Sequence, residues 1–90
     1  MRYCNELSIK NNDHDVQGHL TELFGRYAKL AALAADDWSS EWRGDHVILR
    51  FRRKADQKRH AKMFKHVHAI YVGMLRLSGP LYYEERAYVD

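Results

Sequence analysis

Between residues 50 and 65 the chain carries eight cationic side chains (Arg50, Arg52, Arg53, Lys54, Lys58, Arg59, Lys62 and Lys65) against one acid, Asp56. His60 and His66 lie in the same stretch. Positive charge gathered this densely raises the local concentration of polyanions. On a helix, Lys58, Lys62 and Lys65 fall on one stripe with Arg59 beside it. Cations in the first turns of a helix are disfavoured by its dipole, by ~0.3–1 kcal/mol each. A bound phosphate reverses that penalty by pairing with both the side chains and the free backbone N–H groups. The expected chemistry is the holding of phosphates by residues 50–65. A solvated helix face is the plainer reading of the same run.

The other reactive side chains are sparser. His66-Val67-His68 resembles, over these three residues, the metal-binding motif of the HUH single-strand endonucleases. That resemblance implies a metal held by both rings on a strand and a tyrosine nucleophile, here Tyr82, Tyr83 or Tyr88. On a helix the two rings point about 200° apart and cannot share a metal. His14 and His19 are five residues apart, which misses the spacing of a helical metal pair. They read as solvated. Asp36, Asp37, Glu41 and Asp45 form an acidic cluster that reads as a solvated turn, with Asp36 and Asp37 unfavourably near a helix C-terminus. Cys4 is the only cysteine, so neither an intrachain disulfide nor a thiolate metal cluster is expected. No glycine-rich phosphate loop or nucleophile elbow is present in the sequence. The expectation is a non-enzymatic chain with no metal and no cofactor.

The elements that position these residues follow from periodicity. Arg2 to Lys10 alternates, with Asn5, Leu7 and Ile9 opposite Cys4, Glu6 and Ser8, and reads as a strand. Asn11-Asn12-Asp13 is a turn with a ready helix cap. From His14 to about Ala35, apolar residues at Val16, Leu20, Leu23, Phe24, Tyr27, Leu30, Ala31 and Ala34 mark an amphipathic helix. Trp38 to Arg43 reads as a short strand with Trp38 and Trp42 toward a core. Gly44-Asp45 turns the chain, and His46 to Arg52 alternates again, so the two runs form a hairpin. A second helix is predicted from Ala55 to about Leu77, with Ala61, Phe64, Val67, Ile70, Tyr71, Met74, Leu75 and Leu77 as its apolar stripe. Ser78-Gly79-Pro80 stops it. Leu81 to Val89 reads as a last strand whose apolar side is interrupted by Glu85, as an edge tolerates.

The order strand, helix, strand, strand, helix, strand predicts an α+β fold. The expected form is a ferredoxin-like split βαβ (βαββαβ) sandwich, a four-stranded antiparallel sheet with two long helices on one face and strands one and three central. RNA-recognition-motif proteins share this strand order and stack bases on aromatics of the central strands. Here the outward positions of those strands are Cys4, Glu6, Ser8, His46, Ile48 and Arg50, with no aromatic ring, which argues against stacking there. Outward aromatics occur only at Tyr82 and Tyr88.

Ninety residues, 46% apolar and 30% charged, make one folded domain over 1–90. No apolar run approaches the ~18 residues of a membrane span, and no secretory signal is read. A reducing cytoplasm and no membrane partner are therefore expected. Residues 1–45 carry five Lys/Arg and eight Asp/Glu, a balance of −3, and residues 46–90 carry ten and four, a balance of +6. The expected partner is nucleic acid, or an acidic protein or nucleoprotein surface. In the second case the chain acts as an inhibitor or adaptor, of the kind carried by phages and plasmids, that blocks its target by occupancy. A sheet-to-sheet dimer enclosing a cavity ranks last, because its inner surface carries so many charges.

Overall fold

A computed structural model describes residues 5–11, 14–74 and 83–87. Cys4, the Asn12-Asp13 cap, Leu75, Leu77, the Ser78-Gly79-Pro80 stop, Tyr82 and Tyr88 lie outside them.

Alternation builds the sheet. Strands β1 (Asn5–Lys10), β2 (Trp38–Arg43), β3 (His46–Phe51) and β4 (Tyr83–Ala87) pair antiparallel in the order β2-β3-β1-β4. The fold is thus α+β, a four-stranded antiparallel sheet with two helices, and β1 and β3 are central. Leu7, Ile9, Val47, Leu49 and Phe51 lie on one face and are fully buried. Gly44, at φ +58°, is the first residue of the two-residue β2–β3 turn. Primed hairpin turns require positive φ at that position, and glycine supplies it without a steric cost.

Helix α1 (Gln17–Leu30) buries Leu20, Phe24 and Ala28, one per turn, against the sheet. It ends about five residues before the predicted Ala35. The Leu33 amide donates back to the Ala28 carbonyl at 2.9 Å and the Ala32 amide to the Lys29 carbonyl at 3.2 Å. This is a Schellman stop, with Ala32 in the left-handed position at φ +59° and buried Leu33 packing beyond it. The stop leaves Leu30 89% exposed, against its expected place in the stripe. Alanine in this conformation is strained by about 1–2 kcal/mol. Ala32→Gly is therefore expected to stabilise the chain by about 1 kcal/mol, read as a higher urea midpoint with an unchanged m-value. A lower midpoint contradicts the cap.

Helix α2 (Lys54–Met74) runs antiparallel to α1, as the Tyr27–His60 and His19–Tyr71 ring contacts require. Its buried face is Gln57, His60, Ala61, Phe64, His68 and Tyr71. The expected stripe is rotated: Ile70 is 50% exposed and Val67 half-buried, while three polar residues turn inward. Each of the three has a partner, as buried polar groups require. Gln57 Nε2 donates to the Glu6 carbonyl at 2.9 Å, and His60 Nδ1 lies 2.9 Å from the Tyr27 hydroxyl. Phe64 is the centre of the core. Its ring lies 4.9–5.8 Å from those of Tyr27, Phe24, Trp38 and Phe51. Trp38 and Trp42 face this core as expected, and Trp42 Nε1 donates to Thr21 Oγ1 at 2.7 Å.

His68 is 1% exposed. Its Nε2 lies 3.3 Å from Asn11 Oδ1, which can only accept, so Nε2 carries the proton. The Tyr83 hydroxyl, 2.9 Å from Nδ1 and 3.4 Å from the Lys65 carbonyl, then shares its one proton between these two acceptors, with Nδ1 the nearer. Burial holds the His68 pKa below its ordinary 6.5. The unfolded chain takes up a proton near pH 6.5 that the native chain refuses. This contribution to stability is thus whole above about pH 6.5 and is lost as pH falls below it. Urea midpoints should drop between pH 7.5 and 5.5, and drop less in His68→Gln. An equal drop in both chains contradicts this role.

Candidate polyanion-binding face

The eight cations of residues 50–65 divide into two sets. Arg50 projects to the sheet face away from the helices, as expected, but its guanidinium is held there. It reaches Glu41 at 2.9 Å and Glu6 at 3.5 Å, and its side chain is only 14% exposed. Glu6, Ser8 and Ile48 on the same face are buried as well. This face is therefore crossed by ion pairs, with Arg43–Glu41 at 3.4 Å adding to them, and is not the open charged surface that alternation suggested. Arg53 meets Asp37 at 2.8 Å and Asp56 at 3.1 Å, and Arg52 lies 3.9 Å from Asp37. Lys65 meets Glu85 of β4 at 3.4 Å.

Asp37 and Glu41 therefore correct the solvated-turn reading, since each holds two arginines. The hydrogen bond from Arg50 and the charge of Arg43 hold the Glu41 carboxyl below its usual pKa. Asp37 ends a 3-10 turn at Ala35–Asp37, well past the end of α1, so the expected clash with a helix C-terminus does not arise. Glu85 sits on the helix-facing side of β4 to meet Lys65. Nothing local in the sequence signals the Asp37 and Glu85 pairings, which join residues 15 or more positions apart.

The second set is Lys54, Lys58, Arg59 and Lys62. All four are exposed on α2 and none has an acidic partner among the described residues. At ~1.5 Å per residue, Lys54, Lys58 and Lys62 stand about 6 Å apart along the helix, with Arg59 alongside. Asp56, the one acid among them in sequence, is turned to Arg53. Exposed His66 continues the row.

The two histidines read as a metal pair lie on opposite sides of α2, His66 exposed and His68 buried on Tyr83 and Asn11. They do not share a metal. Among the described residues no three His, Cys, Asp or Glu side chains cluster as a metal site. His19 is exposed, with its ring edge-on to Tyr71 at 5.3 Å. Among the described residues no helix is long and apolar enough to cross a membrane. Sequence reasoning missed the exposed apolar positions Met63 and Ile70 beside the cationic row. Their signal was an apolar stripe on α2 wider than one buried face needs. No protein-family model, curated protein or solved structure matches the chain.

Proposed function

We propose that the chain is a non-enzymatic binding module that holds a polyanion, nucleic acid foremost, on the outward crest of α2. Lys54, Lys58, Arg59 and Lys62 are the contact residues. The observation that carries this reading is the free row itself: four exposed cations within nine residues, unpaired among the described residues. Cations on a convex crest meet phosphates before bases, so binding is to the backbone and independent of sequence. The far sheet face, with Arg50 paired to Glu6 and Glu41, supports no stacking role. We read the frame as a ferredoxin-like split βαβ sandwich, a reading supported by the element order and by central β1 and β3. A lone cysteine fits work in a reducing cytoplasm.

The test is fluorescence anisotropy of a labelled DNA duplex across salt. Four phosphate contacts give a log–log slope of about −3.6, against about −7 for eight, at ~0.9 counterions per contact. A slope near −3.6 is expected. A slope near zero, or no binding at low salt, overturns the reading.

A further inference from the structure

Phosphate binding leaves unused a cleft at the end of the cationic row. About 370 Å³ of space is lined by Lys62, Met63, Lys65, His66 and Ala69 of α2 and by Tyr83 of β4. That volume is at the small end of ligand sites, which run from about 300 to 1,000 Å³. The walls are mostly apolar atoms, and the polar groups among them are basic. Lys65 meets Glu85 at 3.4 Å, while Lys62 has no acidic partner among the described residues. The Tyr83 ring is fixed in place. Its hydroxyl lies 2.9 Å from His68 Nδ1 and 3.4 Å from the Lys65 carbonyl, and the ring stands edge-on to that of buried His68. The polar tip of Tyr83 is thus turned inward, and its aromatic body is what lines the cleft.

We propose that this cleft takes one unpaired nucleobase of a strand whose phosphates lie on the row. The module then prefers nucleic acid with a single-stranded segment to an unbroken duplex. This inference rests on the phosphate-binding reading and names the form of nucleic acid that the row holds. Continuity chooses the occupant. Lys62 belongs to the row and also lines the cleft, so a strand lying along the row reaches the cleft with its own base. Composition agrees with that choice. Two rings, Tyr83 and His66, and the apolar Met63 and Ala69 suit the flat face of a base, while Lys62 stands beside them for its phosphate. Every base has such a face, so binding stays independent of sequence. A duplex keeps its bases stacked and paired, and it presents only phosphates and groove edges to a convex crest.

The test compares three labelled DNAs by fluorescence anisotropy. They are a blunt duplex, the same duplex with a short unpaired tail, and the same duplex with a tail of abasic nucleotides, which keeps the phosphates and removes the bases. The tail with bases should bind at least about 5-fold tighter than the abasic tail, the low end for stacking one base. Met63→Ser takes away an apolar wall and Ala69→Leu fills the space, and neither alters a charge. Each should abolish the gain and leave the blunt duplex unchanged, with circular dichroism checking that the fold is kept. Equal binding of the two tails, with the blunt duplex still bound, overturns the cleft and leaves the row standing. No binding of any of the three overturns the row and the cleft together. A gain that survives both variants contradicts this placement of the base. Displacement of the tail by a glutamate–tyrosine peptide and not by deoxyadenosine monophosphate would assign the cleft to a protein partner and overturn the proposal.

Discussion

Phe64→Ala is expected to lower the free energy of unfolding by about 3–5 kcal/mol, the range for truncating a fully buried phenylalanine. The site belongs at the upper end. Phe64 is fully buried, and its ring contacts join α1, β2 and β3 to α2. No single neighbour can move into the space without leaving another contact. Most small domains have only about 5–15 kcal/mol to lose, so a loss of this size leaves the variant marginal at 25 °C. Phe64→Leu, which removes less volume, then keeps the prediction measurable as a lower urea midpoint at constant m-value. A loss below about 1 kcal/mol in Phe64→Ala contradicts a core centred on this ring.

The second large effect is on binding. Charge reversal at Lys58, Arg59 and Lys62 together should weaken duplex DNA by about 100-fold or more near 0.1 M salt, since three phosphate contacts become three repulsions. All three side chains are exposed and make no ion pair with another described residue, so the fold should tolerate the change. Arg52→Ala and Arg53→Ala supply the contrast. Their charges already face Asp37 and Asp56, and their removal should alter affinity less than about threefold. Equal losses in both sets of variants contradict the division of the eight cations into paired and free.

Much of this architecture was legible from period alone. The period of two fixed which face of β1, β2 and β3 meets the helices, because one step of slippage would turn Arg50 toward the helices and Leu49 away from them. The ends and the rotation of the helices were not legible. The stop after Leu30 uses Ala32 where glycine is the usual signal. The rotation of α2 depends on Gln57, His60 and His68 finding Glu6, Tyr27, Asn11 and Tyr83. Those partners come from distant segments, and composition does not disclose them. The same limit applies to the basic run. Its eight charges were plain in the sequence, but only the tertiary fold brings Asp37, Glu41 and Glu85 to four of them.

The most direct measurement is a chemical-shift map of the ¹⁵N-labelled chain titrated with a short DNA duplex. The largest shifts should fall on Lys54, Lys58, Arg59 and Lys62, with the β2–β3 face around Glu41 and Arg50 unmoved. Shifts centred on Glu41, Arg43 and Arg50, or none at low salt, would contradict binding by the free crest of α2.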